Sequence, residues 1–458
     1  MDKLINSWDC SVNRMQSVVQ RMMIDMKKGL TGEPSTLLMS PSFTDVPTTN
    51  ITQKLLAIDF GGTNIRVLLL DIQNNNPIII SQHSSKLDIT VNHGSTLFSS
   101  MAAMVKTFVD TNGITKEQFH PFLACGFTFS YPSTQNSLST SILQRWTKEI
   151  DIPDVIGADV GELLQNSLNN HGLDFIKIVA ICNDTVGTLC TKAISDRNTM
   201  IGVILGTGSN AAYREETKNI TKLSPDTRSK LSRHCIINIE FGAFDGFPNN
   251  EIDDIVFEKT KHLGQQPLEK KISGRYIAML ARCAVRKAIE IDGIFSEHKG
   301  KGNWGYWDQH HMLTAEVVDE IERDASTELA ESKKKIAEMA GDPTAILKTD
   351  DIKLVQKLFH EITVRSGKYA GIAISGVCSH ILTTASSPPP SITIAIDGSL
   401  FRYNTLFRTN VTQSIEECMG SLEWLNGKVP KIVVVDTEDG SGIGAAIIAA
   451  TNSVSPIE

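Results

Sequence analysis

Short glycine loops and a few carboxylates at the ends of apolar runs are the residues of this chain that can carry chemistry. Asp59-Phe60-Gly61-Gly62-Thr63-Asn64 is the first loop. Glycine has no Cβ, so such a loop lets backbone N–H groups approach an anion closely. Thr63 and Asn64 add side-chain donors and Arg66 adds a positive charge. Leu205-Gly206-Thr207-Gly208-Ser209-Asn210 is a second loop and Asp397-Gly398-Ser399 a third. The fourth, Asp439-Gly440-Ser441-Gly442, opens an expected helix over 443–451, the strand–glycine loop–helix form that suits an anion. Gly-Gly alone is also explained by a plain hairpin turn.

Among the carboxylates, Asp184 stands out in Cys182-Asn183-Asp184-Thr185, directly after an apolar run. An aspartate there can take the proton of a hydroxyl as its oxygen attacks phosphorus, and phosphoryl transfer needs such a base besides positioning and charge neutralisation. The same four residues also make a good helix N-cap, and residue type alone does not separate the two readings. Glu240 and Glu269 are acceptors suited to hydroxyl groups, although each alone reads as a surface or structural glutamate.

Gly206-Thr207-Gly208-Ser209-Asn210-Ala211 formally fits the G-x-G-x-x-A of a dinucleotide-binding fold. The context does not: Tyr-Arg-Glu-Glu-Thr-Lys follows, with no apolar-faced helix and no acidic strand end about 20 residues on. A P-loop with its Lys-Ser or Lys-Thr is absent. Several short glycine loops at strand ends fit instead a cleft that clamps a triphosphate from both sides.

The elements that must hold these residues alternate. Residues 55–72 read as strand, glycine turn, strand, and further apolar strands run at 122–132, 176–185, 200–210, 235–244, 391–400 and 431–442, each ending in polar or glycine residues. Helical patterns lie near 95–111, 160–170, 270–291, 314–340 and 351–374. The alternation predicts an α/β fold, which places ligands at strand C-termini. The two loops at 59–64 and 205–210 hint at two similar halves. Trp8, Val12, Met15, Val19, Met22 and Met26 mark one face of an N-terminal helix, expected to pack on the protein's own body. Residues 31–53 read as a connector, and the charged stretch 316–340 as a solvated face.

Composition bounds the function. With 458 residues, 41% hydrophobic and 21% charged, the chain is an ordinary globular protein of two or three domains. A net charge of −8 argues against a nucleic-acid partner, so a phosphate must be met locally. The eight cysteines include no C-x-x-C pair, and reduced buried thiols are expected. No apolar run approaches the roughly 20 residues of a membrane span, no signal peptide opens the chain, and a cytoplasmic protein without membrane partner is the expectation.

From about Leu38 to Ala450 the chain resembles the hexokinase family. LLAIDFGGTNIRVLLL is similar to its first phosphate loop and GFTFSYPSTQNSLSTSILQRWTKEI to its sugar signature. ICNDTVGTL, IGVILGTGSNAAY, NIEFGAF, QPLEKKISGRY, IERD, IDGSL and DGSGIGAA follow in the family's order. The resemblance implies the two-lobed fold of actin-like ATPases (ribonuclease H-like) with a central cleft: a small lobe of 51–183 plus 440–458 and a large lobe of 184–439, preceded by an N-terminal helix and connector over 1–50. It implies transfer of the γ-phosphoryl group of MgATP to the 6-hydroxyl of glucose or a related hexose, the first step of glycolysis, with Asp184 as base and Lys148 beside it. Ser130, Thr147, Lys148, Asn183, Asp184, Asn210, Glu240, Gln266 and Glu269 would hold the sugar. Asp59, Gly61, Gly62, Thr63, Asn64, Arg66, Gly206, Thr207, Gly208, Asp397, Gly398, Ser399 and Ser441 would line the nucleotide side. No protein metal site is implied; Mg²⁺ would arrive with ATP, oriented by Asp59 through water. The sequence departs from the family's usual residues at Tyr131, Ser133, Glu149-Ile150, Phe241 and Ile443, none of them a proposed catalytic group. A non-catalytic sugar and nucleotide sensor on the same fold is the alternative, against which the retained Asp184, Lys148 and Asp59 argue. The oligomer is left as monomer or homodimer.

Overall fold

Apolar runs ending in turn residues pair into two mixed sheets built on the same plan. The computed structural model describes residues 11–453 except Thr63, Ile89, 148–149, 261–263, 299–306 and 308–312. Trp8 and the expected site residues Thr63 and Lys148 therefore lie outside the described residues. A short strand, β1 (Ser40–Pro41), precedes the first meander of β2 (Gln53–Phe60), β3 (Asn64–Gln73) and β4 (Asn76–Lys86). Two further strands, β5 (Leu123–Phe129) and β8 (Ile176–Cys182), add in parallel beside β2, with a small hairpin of β6 (Ser133–Ser137) and β7 (Thr140–Leu143) between them in the chain. The order is β4-β3-β2-β5-β8. The second sheet repeats it: a meander of β9 (Thr199–Leu205), β10 (Ser209–Glu216) and β11 (His234–Asn238), then β12 (Ser391–Asp397) and β13 (Lys431–Asp436) in parallel, giving β11-β10-β9-β12-β13 with β1 on the β11 edge. The first and second glycine loops thus occupy the same topological position, the first hairpin of each sheet.

The helices are α1 (Val12–Thr31), α2 (Gly94–Thr111), α3 (Val160–Asn170), α4 (Asp184–Ala193), α5 (Glu251–Lys259), α6 (Glu269–Ile272), α7 (Gly274–Ile291), α8 (Ala315–Glu322), α9 (Ala330–Met339), α10 (Thr349–Thr384), α11 (Thr405–Ser421) and α12 (Gly440–Ser453), with shorter turns between. Period-two alternation along β2 divides its side chains between faces. Leu56, Ile58 and Phe60 pack with α2 and α3, while Leu55 and Ala57 pack with α12. The other face of the second sheet carries the largest core, built on α7, α10 and α11. Met15, Val19, Met22 and Met26 of α1 are buried in that core, so this part of the stripe packs on the protein's own body, while Val12 at the helix start is exposed.

Several elements differ from the sequence expectation. The segment 314–340 is two helices, because the Asp324 carboxylate accepts from Ser326 N (2.8 Å) and Ser332 N (2.7 Å) and turns the chain between them. The pattern 270–291 breaks at Ser273, and 351–374 is the core of a longer helix, α10. The strand β4 follows a turn in which Asn74 and Asn75 both have positive φ, a signal left unread in the Asn-Asn-Asn run.

The two halves meet where α4 crosses α12. Backbone lies on backbone: a Cβ on Gly444 would sit 2.1 Å from Gly187 O, and one on Gly187 would sit 2.8 Å from Ser441 O. Only glycine permits that approach. Gly444→Val is expected to destabilise the protein by about 3 kcal/mol through overpacking, read as a lowered midpoint in urea unfolding, while Ile443→Val one residue earlier stays within about 1 kcal/mol.

Candidate active site

The hairpin register of β2 with β3 sets Arg66 directly opposite Asp59. Arg66 Nη2 donates to Asp59 Oδ2 at 3.3 Å, and its other nitrogen pairs with Asp439. Ser441 Oγ donates to the same Asp59 oxygen at 2.7 Å, which ties the fourth loop to the first. Burial pushes the Asp59 carboxyl above its ordinary range, against the pull of Arg66 and Ser441, and the Asp184 carboxylate adds to the rise. The third loop joins the second by contact: Gly398 has φ 126°, and a Cβ there would lie 2.4 Å from Leu205 O. Asp397 accepts from Gly398 N (2.7 Å) and Gly440 N (3.1 Å), linking the third loop to the fourth. Burial raises the Asp397 carboxyl, opposed by those N–H groups and by Arg402.

Asp184 is the first residue of α4, but the cap is its neighbour. Asn183 Oδ1 accepts from Thr185 N (3.0 Å) and Thr185 Oγ1 (2.7 Å), so Asn183 holds the helix N-terminus. Asp184 Oδ1 takes Thr185 N at 2.9 Å, and a carboxylate in the first turn sits at the positive end of the helix dipole. The side-chain cap of this tetrad is thus Asn183.

A chain of amides extends from there. Asn210 Nδ2 donates to Asn183 Oδ1 (3.1 Å) and to Asn238 Oδ1 (2.8 Å), and Asn238 Nδ2 donates to Glu240 Oε1 (2.9 Å). Glu240 has φ 58°, which turns its carboxyl off the end of β11. Burial raises that carboxyl, with the Asp184 and Glu269 charges adding, against Asn238 and Arg145. Glu269 Oε2 accepts Ser209 N at 2.9 Å.

These groups line one cleft with a cavity of about 630 Å³, inside the roughly 300–1,000 Å³ of small-molecule sites. Asp59, Gly61, Gly62, Asn64, Arg66, Gly206, Thr207, Gly208, Asp397, Gly398, Ser399 and Ser441 line it, together with Ser130, Thr147, Asp184, Gln266 and Glu269. A smaller recess opens from it, where Asn183, Asn210 and Glu240 join Ser130, Thr147, Asp184, Gln266 and Glu269. Every expected site residue among those described is therefore in the cleft or its recess. Beyond Thr207 and Ser399 lies a further cavity bordered by Ala278, Leu313, Leu400 and Tyr403.

Sequence reasoning passed over Asn238 and Arg275, and named Asp439 only as part of the fourth loop. Asn238 did give a signal, a lone amide between Ile237 and Ile239 in a buried strand. Arg275, another cleft residue, gave none, because the α7 N-terminus meets the second loop only in three dimensions: Gly274 N donates to Gly206 O at 2.9 Å.

Two family models, both described as hexokinase, match residues 1–194 and 200–451. This chain belongs to the hexokinase family. It is an ATP-dependent hexokinase with that family's two-lobed α/β fold. Hexokinase-1 of Saccharomyces cerevisiae is 33% identical to it over 450 residues, 95% of this chain and 88% of the relative. Hexokinase-2 of Solanum tuberosum is 32% identical over 458 residues, 96% and 88% of the two chains. The hexokinase from Schistosoma mansoni, solved in complex with glucose, superimposes with a TM-score of 0.85 at 28% identity, covering 98% of this chain and 97% of that one.

In this hexokinase the turn that carries Glu269 is anchored from behind by a buried charge cluster. Lys271 Nζ lies 3.1 Å from Asp253 and 2.7 Å from Asn249 Oδ1, and Arg365 Nη1 lies 3.0 Å from Asp253. Burial pushes the Lys271 ammonium down to about 8, whereas Arg365 and Lys271 hold Asp253 below the usual carboxylate range despite its burial. Removing one member leaves the others charged and buried, which costs more than the cluster gains. Asp253→Ala is expected to lose about 3–5 kcal/mol of stability, measured by chemical unfolding, and a loss below about 1 kcal/mol would contradict the anchoring role.

Proposed function

We propose that this hexokinase transfers the γ-phosphoryl group of MgATP to the 6-hydroxyl of glucose or a related hexose, with Asp184 as general base. The observation that carries the reading is the place of Asp184, which borders both the larger cleft and the smaller recess. A hexose in the recess puts a hydroxyl at the Asp184 carboxylate, and a triphosphate in the cleft puts its terminal phosphorus on the other side of that hydroxyl. Asp184 then takes the proton as the hydroxyl oxygen bonds to phosphorus and the bond to the ADP oxygen breaks. Ser130, Thr147, Asn183, Glu240, Gln266 and Glu269 orient the sugar, with Asn210 holding two amides in register; Lys148, beside Thr147, joins them in this reading.

The nucleotide side follows the same logic. Backbone N–H groups of the first, second and fourth loops meet the phosphates, Arg66 adds a cation, and the cavity at Ala278, Leu313, Leu400 and Tyr403 takes the apolar base. Among the described residues no group of three or more His, Cys, Asp or Glu side chains is placed to cage a metal. In this reading Mg²⁺ would be carried by the phosphates and met by Asp59 through water, where it would neutralise charge on the transferred group. Binding of the sugar would close the lobe of 51–183 plus 440–458 over that of 184–439, excluding water and limiting wasteful hydrolysis.

No helix among the described residues is long and apolar enough to cross a membrane. All seven described cysteines are free and buried, which supports a reducing compartment, and we place the protein in the cytoplasm on that ground.

A coupled assay of ADP release with glucose tests the reading; folded protein with no hexose-dependent turnover would refute it. Asp184→Ala should lower kcat by about 10²–10⁴, the range of a lost general base, while glucose binding by calorimetry stays within a few-fold. Near-normal turnover in that variant removes the base assignment. Lys148→Ala should have a smaller effect, seen mainly in the hexose KM.

A further inference from the structure

Tyr131 sits between the two substrate regions and touches both. Its ring is buried in an aromatic cluster, with centroids 5.5 Å from Phe60, 5.0 Å from Phe129 and 4.9 Å from Trp146. Tyr131 and Trp146 belong to the sugar side by chain continuity. Ser130 and Pro132, on either side of Tyr131, border the recess, and Trp146 precedes Thr147, which borders it too. Trp146 is itself fixed, with Nε1 donating to Ile152 O at 2.8 Å. The other end of Tyr131 reaches the nucleotide side: its hydroxyl donates to Gly62 O at 2.8 Å. Burial, reinforced by the Asp184 carboxylate, pushes the phenol well above its ordinary value, so it stays a donor at any working pH.

Where a side chain would stand on Gly62 there is nothing within 4 Å, because that side of the loop faces the open cleft. Two residues back, Ser130 N donates to Phe60 O at 3.2 Å, and a Cβ on Gly61 would lie 3.4 Å from Ser130 Oγ. The Tyr131 hydroxyl on its rigid ring thus links the loop tip at Gly62 to the sugar-binding segment, beside the contact that Ser130 makes with Phe60 and Gly61.

We propose that Tyr131 is a positioning residue that couples hexose binding to nucleotide binding, by passing any shift of the 130–132 and 146–147 segments to the carbonyl of Gly62. The proposal rests on the reading above of recess and cleft as the sugar and nucleotide sites. Tyr131 touches neither substrate in it. A hexose that settles Ser130 and Thr147 would fix the loop for phosphate, and the nucleotide would in turn fix the sugar segment. Linkage requires the two effects to be equal, which gives an internal check.

The test is calorimetry of a non-hydrolysable ATP analogue with Mg²⁺, with and without saturating glucose, on the wild type and Tyr131→Phe. The variant keeps the ring and the packing and loses only the hydroxyl. In the wild type glucose should tighten analogue binding. In Tyr131→Phe that coupling factor should fall about two- to tenfold, the factor carried by one buried hydrogen bond. Glucose affinity without nucleotide should change less than about twofold, and the reciprocal factor, glucose binding with and without analogue, should fall equally. A variant with a lower melting temperature but an unchanged coupling factor would make the bond merely structural and overturn the proposal. So would a wild type whose analogue affinity ignores glucose. If the wild type has no hexose-dependent turnover at all, the underlying assignment of the sites fails instead, and the turnover assay separates the two failures.

Discussion

The crossing of α4 and α12 is the constraint on which the rest of the site depends. Each helix begins at the end of the fifth strand of its sheet, and each has a glycine one turn in, Gly187 and Gly444. Because those glycines let the backbones touch, the two helix N-termini are brought to one cleft from opposite halves, and Asp184 and Ser441 both border it. Two positive dipole ends then converge where phosphate charge must be received. A side chain at either glycine would move both Asp184 and the fourth loop, so their separation is set by packing some distance behind them.

The cleft gathers more negative than positive side chains. Asp59, Asp184, Glu240, Glu269, Asp397 and Asp439 lie in or beside it, against Lys270, Arg275 and an Arg66 that is shared between Asp59 and Asp439. The carboxyls of Asp59, Glu240 and Asp397 are raised chiefly by burial, and neighbouring carboxylates push the same way. A free triphosphate would meet an unfavourable field there. In the function proposed above, a divalent cation carried by the triphosphate would offset part of that charge. The acidic balance read from composition is thus present at the site in miniature, and it favours a metal-bearing nucleotide and a hydroxyl-rich partner.

What the sequence disclosed follows the range of each interaction. Glycine loops, strand ends and the Asn183-Asp184 cap are local, so residue type and neighbours exposed them. The pairing of Asp59 with Arg66 needed only one hairpin register and was half visible. The Asp253–Lys271–Arg365 cluster joins three segments far apart in the chain, so neighbouring residues give no sign of it. The helix α10 is buried on nearly every side along its middle, against α11 at Gly367 and Gly371 and against α1 at Gly376, so its apolar residues carry no one-sided period to mark its ends. The break after α8 was hidden in the charged run, because Asp324 there turns the chain with its side chain rather than facing solvent.

Counting hydrogen-bond capacity sharpens what the recess can bind. Asn210 spends both amide hydrogens on Asn183 and Asn238, and its oxygen accepts Ala211 N (2.7 Å) and Phe241 N (3.3 Å). An amide offers two donors and two acceptor positions, so Asn210 is saturated within the protein. Its part is to fix the direction of its neighbours. The Asn183 oxygen is likewise filled by Thr185 and Asn210, which turns its NH₂ toward the recess as a donor. Among the described residues Asn238 engages Oε1 of Glu240 and Thr185 N engages Oδ1 of Asp184, so each presents a second oxygen as acceptor. An array dominated by carboxylate acceptors with an amide donor beside them matches a ligand whose groups both donate and accept. A polyol does so at every carbon, whereas a ligand of carbonyls or ethers would leave these buried carboxylates without donors, at a desolvation cost of about 1–3 kcal/mol or more for each group. Selectivity for a hydroxyl-rich substrate is therefore built into the way the amides are spent.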